Sequence, residues 1–179
     1  MNQLATYQRG DAAALDRAAD AAALQFVSFL IGDEEYGLDI MAVREIRAWS
    51  GATRLPNAPQ HLRGVVNLRG LIVPVFDLRA RFGAGLTDAT KTHVVIILAT
   101  GDRIVGLLVD AVSDILTVGG GEIRPVPPID RTVDAGFLTG LVNMDERMVA
   151  LLDADSLFAA GEIPAQNQLA QTNAASGDA

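Results

Sequence analysis

Two stretches of this chain repeat each other, and the repeat limits the folds open to it more than any other feature. Gly32-Asp33-Glu34-Glu35-Tyr36-Gly37-Leu38 aligns with Gly101-Asp102-Arg103-Ile104-Val105-Gly106-Leu107 at an offset of 69 residues. Ala42-Val43, Glu45 and Ile46 then fall on Ala111-Val112, Asp114 and Ile115. Further on, Gly64-Val65-Val66-Asn67 falls on Gly140-Leu141-Val142-Asn143 at an offset of 76, with Val73 and Asp77 on Val149 and Asp153. A longer Gly/Pro-rich connector in the second copy, Gly119 to Gly136 against Ser50 to Gln60, absorbs the difference. Matching apolar residues alone would mean little. Shared Gly, Asp and Asn turn residues mean more, because each fixes a local backbone geometry.

Each copy reads as a small β unit. Residues 25–31 and 35–40 form a hairpin around the acidic turn Gly32 to Glu34, 43–49 a third strand, and 63–67 and 71–76 a second hairpin. Residues 92–98, 103–109, 112–118, 139–143 and 147–152 repeat that plan. Short apolar strands of this kind suit closed barrels, which leave no exposed edges. Pro74 lacks a donor and marks an edge or a bulge. Asp77 is placed to cap a short helical turn through Arg81, ended by Gly83 and Gly85, and Asp153 a helix through Phe158 to Gly161. The domain is therefore expected over 25–158, as two intertwined subdomains of roughly 25–90 and 91–158. Residues 1–24 form an alanine-rich extension, flexible or helical, and 159–179 a flexible polar tail.

A chain of 179 residues, half of them hydrophobic, buries a sizeable core. Its formal charge of −8 and single lysine, Lys91, argue against a nucleic-acid-binding barrel, whose affinity would rest on clustered cations. There is no cysteine, which fits a reducing cytoplasm. Arg9, Asp11, Asp16, Arg17 and Asp20 interrupt the N-terminal segment, so no secretory signal is expected. The apolar runs fall far short of the ~20 residues needed to span a membrane.

Catalytic apparatus is missing from the pattern. The two histidines, His61 and His93, have no companion motif for a metal. Asp33, Glu34 and Glu35 resemble paired carboxylates, but on an exposed turn they are expected to stay solvated and ionised, unlike a general acid. No serine lies in a Gly-x-Ser-x-Gly elbow, and Gly119-Gly120-Gly121-Glu122 lacks the lysine of a phosphate loop. A carboxylate-dependent hydrolase using Asp33 or Asp77 remains the enzymatic alternative, and no cofactor is implied.

The stretch Gly64-Val65-Val66-Asn67-Leu68-Arg69-Gly70-Leu71-Ile72-Val73-Pro74 sets one charge, Arg69, on a tight turn between two β-branched segments. The turn needs its glycine for backbone reasons but has no need of a guanidinium, so Arg69 calls for a partner. The second copy has Asp145-Glu146 where the first has Arg69-Gly70. What two copies do not share cannot be required by their common fold.

Read with Phe29 to Ile40, Val43-Arg44-Glu45-Ile46-Arg47, Val105 to Asp114, Ile123-Arg124-Pro125 and Leu138-Thr139-Gly140, this stretch resembles the CheW family of adaptor domains of bacterial chemotaxis. The motifs occur in the family's order from Gln25 to Phe158, roughly three-quarters of the chain. The resemblance implies an all-β fold of two five-stranded SH3-like barrels packed side by side, with short helices at the linker and C-terminus. It implies a non-catalytic adaptor joining the cytoplasmic tip of methyl-accepting chemoreceptors to the regulatory domain of the histidine kinase CheA. The receptor's helix hairpin would lie in an apolar groove between the barrels. Further copies of the adaptor are implied partners as well, and the location is cytoplasmic, beside membrane receptor arrays.

The partner-binding residues that match the family's motifs are Arg69, Glu45, Val43, Ile46, Gly64, Val94, Gly106 and Arg124. Val43, Ile46 and Val94 are equally readable as barrel filling, since strand register is not fixed by sequence. Gly64 and Gly106 are readable as backbone requirements. Glu45 and Arg69 are expected to pair in the free protein and to exchange partners on binding. An adaptor of a related array controlling pili or development would carry the same motifs.

Overall fold

The computed structural model describes residues 23–128 and 136–158. Its strands are β1 (Ala23–Ile31), β2 (Glu34–Asp39), β3 (Val43–Ala48), β4 (Leu62–Leu68), β5 (Leu71–Asp77), β6 (Val94–Thr100), β7 (Arg103–Val109), β8 (Ala111–Gly119), β9 (Leu138–Met144) and β10 (Arg147–Leu152). One short helix, α1 (Leu78–Arg81), follows β5, and Gly120–Glu122 form a 3-10 turn. Of the expected extension, Ala23 and Leu24 are instead the start of β1, paired with Gly119 and Val118 of β8, and the rest lies outside the described residues, as does the polar tail.

The strands form two five-stranded sheets, ordered β8-β1-β2-β10-β9 and β3-β6-β7-β5-β4. Replacing each strand by its counterpart in the other copy converts one order into the other, so the sequence repeat extends to the topology. The sheets are nevertheless not the repeats. The first takes two strands from one copy and three from the other, and the second takes the remainder. The expected division near residue 90 is corrected accordingly: residues 43–109 supply one sheet, inserted between the two parts of the other, 23–39 and 111–152. The repeat records the unit that was copied, whereas a sheet is decided by which edges pair. Here β2 runs parallel to β10, and β5 parallel to β7.

Each sheet also curls toward closure, as edge protection requires. Beyond β3, Thr53 exchanges two backbone hydrogen bonds with Val65 of β4, at 2.9 and 2.8 Å. Beyond β8, Arg124 does the same with Leu141 of β9, both at 2.8 Å. These bridges join the edge strands of each sheet across a seam.

Strand alternation then fills three apolar layers. Phe26, Leu116, Val118, Val142, Val149 and Leu151 fill the first barrel, and Val73, Val75, Val95, Ile97 and Leu108 the second. Between the sheets, a larger cluster including Phe29, Leu38, Phe76, Ile96, Leu98, Leu107 and Leu157 is shared by both. Neighbours on β6 thus face opposite ways, Ile96 and Leu98 toward the shared core, Val95 and Ile97 into the barrel.

Pro74 is buried within β5, a strand with neighbours on both sides, and is not at an edge. It is accommodated because pairing with β7 begins one residue later, at Val75 opposite Gly106. Asp77 caps α1 as expected, accepting from Ala80 N at 3.2 Å. It is also fully buried, and its carboxylate accepts from the backbone N and Oγ1 of Thr87, both at 2.8 Å. Its counterpart Asp153 accepts from Asp155 N and Ser156 Oγ in turns that run to Phe158. Over the described residues these turns stand in place of the expected helix, and residues 159–161 of that expectation lie outside them. Among the described residues no helix is long and apolar enough to cross a membrane.

The passage from β7 to β8 is Asp110 alone. Its carboxylate accepts from Gly32 N at 2.6 Å and from Arg79 Nη2 at 2.7 Å, with His93 Nε2 at 3.6 Å. This one side chain ties the β1–β2 turn, α1 and the start of β6 to the crossing point.

Tyr36 packs at the rim of the shared core, its ring 5.1 Å from that of Phe82, and donates to Glu34 at 2.7 Å. Burial, and then the hydrogen bond and charge of Glu34, push its phenol upward in pKa. The unfolded chain then loses this proton first, so the stabilisation is complete below about pH 10 and fades as pH rises beyond it. Denaturant midpoints measured from about pH 9 to 11 should fall for the parent chain and fall less steeply for Tyr36→Phe.

Candidate functional site

The β4–β5 hairpin closes through two residues, Arg69 and Gly70, both left-handed at φ 52° and 89°. Asn67 Oδ1 accepts from Gly70 N at 2.7 Å and holds the turn. Two positive φ angles in a two-residue loop match the twist of paired strands. Arg69 tolerates that backbone while its side chain stays 82 % exposed. Its Nη2 lies 3.4 Å from Glu45 Oε2 on β3, so the expected pair is present.

This pair has a structural address. β3 and β4 are the two edges of their sheet, so Glu45 and Arg69 reach across the seam, and the Thr53–Val65 bridge lies farther along it. A cavity of about 470 Å³ opens in the same seam, lined by Arg47, Trp49, Thr53, Val66, Asn67 and Val95 among others. At the other barrel's seam the corresponding positions carry Asp114 and Asp145, like charges that cannot pair. One seam is held by exchangeable charge and the other is not.

Along β3, Val43, Glu45 and Arg47 are half-buried while Arg44, Ile46 and Ala48 face out. Ile46 is 45 % exposed and Leu71, just past the hairpin turn, 38 %. The seam thus combines a loosely paired guanidinium with uncovered aliphatic surface, the composition of an interface rather than of a reactive pocket.

The remaining expected residues separate by role. Val43 and Val94 are half-buried and pack against the shared core. Gly64 is buried at φ 137°, and a Cβ there would run into the Thr53 carbonyl oxygen, so it serves the seam bridge through its backbone. Gly106 is buried too, where a Cβ would come within 2.9 Å of Val95 Cγ1 and 3.1 Å of Val75 Cγ2. Arg124 has an exposed side chain but belongs to the other barrel, where its backbone closes the seam as Thr53 does here. The structure therefore gathers Arg69, Glu45, Ile46 and Gly64 around one seam, sets Val43 and Val94 beside it in the core, and leaves Gly106 inside and Arg124 apart.

Sequence reasoning missed the cavity residues Arg47 and Trp49 and the exposed Leu71. It also missed Ile115, 53 % exposed on β8, although its repeat alignment with Ile46 was an available signal. One expectation is corrected outright. Glu35 is not a solvated turn carboxylate but 6 % exposed, because β2 begins at Glu34 and alternation turns the next side chain inward beside β10. Asp33 stays exposed on its turn while Asp77 is consumed by capping and by Thr87, so the two do not converge. Among the described residues no cluster of three His, Asp or Glu is placed to hold a metal.

A family model described as the CheW-like domain matches residues 25–162. A probable chemotaxis protein CheW of Rhizobium etli is 44 % identical over 138 residues, covering 77 % of this chain and 89 % of the relative. The chemotaxis protein CheW of Klebsiella aerogenes is 40 % identical over 156 residues, covering 87 % and 94 % respectively. Among solved structures, the scaffolding protein TtCheW of Thermoanaerobacter tengcongensis superposes with a TM-score of 0.70 at 34 % identity, covering 78 % of this chain and 90 % of that one. The two-subdomain SH3-like architecture expected from the motifs is the one observed. With the domain match spanning most of its length and relatives of this identity, the chain belongs to the CheW-like family of chemotaxis adaptors, non-catalytic scaffolds that act by contact.

Proposed function

We propose that this protein couples methyl-accepting chemoreceptors to the histidine kinase CheA at cytoplasmic receptor arrays. The observation that carries this reading is the seam pair of Arg69 and Glu45, held at 3.4 Å with Arg69 mostly in solvent, beside the exposed Ile46. An exposed pair of this kind contributes little to stability, about 0–1 kcal/mol, so exchanging it for a partner's charges costs little. The regulatory domain of the kinase binds this seam, with Ile46 and Leu71 as its apolar contacts. The receptor's helix hairpin lies along the rim of the shared core, where Val43 and its repeat counterpart Val112 remain half-buried. Gly64 and Gly106 support these surfaces from within, and Val94 backs the rim. Arg124 serves the opposite barrel, where further copies of the adaptor meet it.

Coupling here is linkage between binding sites on one body. The test is reconstitution from purified kinase regulatory domain, receptor tip and the full chain. The parent protein should form the ternary complex. Ile46→Asp should weaken kinase binding at least ~10-fold with its melting temperature unchanged, as loss of a central apolar contact does. No ternary complex with the parent, or unchanged affinity for the variant, would overturn the assignment.

A further inference from the structure

On the other sheet, the β1–β2 turn and the β9–β10 hairpin flank a groove of about 520 Å³, whose lining includes Asp33, Glu34, Glu35, Glu146, Arg147 and Met148. Glu35 is the unusual member. It is 6 % exposed, and its Oε1 is buried without any hydrogen-bond donor. Its Oε2 has Arg147 Nη1 at 3.1 Å, yet that contact does not complete a hydrogen bond either. The proximity is real and the alignment is poor, so Arg147 neutralises charge without satisfying the oxygens. A carboxylate removed from water in this state is costly, and a cation bringing a correctly directed N–H relieves it.

The surroundings favour a cation from outside. Arg147 is 62 % exposed, so its guanidinium can swing away into water. Asp33, Glu34, Asp145 and Glu146 are exposed around the groove, giving it a field that draws positive charge and repels negative. Met148, 59 % exposed, adds an adaptable apolar contact.

We propose that this groove docks a basic segment of a partner protein, one arginine or lysine of which displaces Arg147 and supplies the missing donor to Glu35. The surface is distinct from the Arg69 seam, and the proposal does not depend on the coupling role.

The test is an NMR titration of the full chain with the probe peptide acetyl-Leu-Arg-Leu-Arg-amide and a copy carrying citrulline for each arginine. The arginine peptide should shift the amides of Glu35, Glu146 and Met148 selectively, and the citrulline copy should not. Glu35→Gln should weaken binding ~10-fold, since a charged partner of the incoming cation is lost. Arg147→Ala should tighten binding a few-fold, about 3-fold or more, because the internal competitor is gone. That second variant separates docking from architecture, for a merely structural Arg147 would leave affinity unchanged. Shifts scattered over the whole acidic surface, equal binding of both peptides, a folded Glu35→Gln that binds as the parent does, or an Arg147→Ala that fails to bind more tightly would each overturn the proposal.

Discussion

Gly64→Ala is expected to destabilise the protein by about 4 kcal/mol, a large part of the ~5–15 kcal/mol that holds a domain folded. Two costs combine at this position. The backbone sits at φ 137°, a region essentially closed to residues with a Cβ. The added methyl would also occupy the place of the Thr53 carbonyl oxygen, which accepts from Val65 N at 2.8 Å. Backbone is the obstacle, so no rotamer change relieves the clash, and the seam must open and forfeit its two bridging hydrogen bonds. Two controls separate these terms. Gly83 has φ 78° but open space for a Cβ, so Gly83→Ala should cost only the strain, about 1 kcal/mol. At Gly140, in the counterpart seam, the φ is not left-handed and a Cβ would meet Ile123 Cγ2 at 2.5 Å and the Arg124 carbonyl oxygen at 3.2 Å, a crowding short of the backbone collision at Gly64, so Gly140→Ala should fall between them. Urea titration of the three variants checks the order. A Gly64→Ala midpoint close to that of Gly83→Ala would mean that the seam bridge contributes nothing.

Arg69→Glu should leave a folded chain and reduce kinase binding by ~100-fold, roughly 3 kcal/mol. The side chain is exposed, so little packing is lost, but the seam then faces two carboxylates where an ion pair stood. This variant alone does not say whether Arg69 holds the seam or meets a partner. The charge swap does: Glu45→Arg combined with Arg69→Glu restores an internal pair with its direction reversed. If Arg69 is needed only to hold β4 against β3, the swap recovers assembly. If its guanidinium is handed to the kinase, the swap stays defective while melting like the parent. Affinity from titration calorimetry, read beside the melting temperature, distinguishes the two, and recovery by the swap would sink the partner-binding role.

The strands and their turns were legible because Gly32, Gly101, Asn67 with Gly70, and Asn143 punctuate the apolar runs. Their partners across the sheets were not. That β2 lies against β10 and β5 against β7 depends on contacts distant in sequence, to which the local pattern is blind. Facing was only partly readable. Along β3 the alternation is unbroken, so Val43 and Ile46, three residues apart, face opposite ways, and the local pattern does not say which phase turns inward. Register shifts between Leu62 and Gly64 and between Val27 and Phe29 displace the pairing of β4 and β1 further. Of the site, the Arg69–Glu45 pair was visible as an unexplained charge on a turn. Glu35 was hidden because three consecutive acidic residues suggest water, and only the start of β2 decides which of them turns in.

The two lobes are joined at passages too short to bend. Ile40 to Ala42 make one, and Asp110, clamped by Gly32 and Arg79, makes the other. With a continuous apolar layer filling the space between them, neither lobe has slack to swing, and a closely packed interior transmits strain instead of absorbing it. This is the build of a stiff strut: a tilt imposed on one lobe is expected to turn the other with it, and the coupling proposed above would then be passed on as orientation.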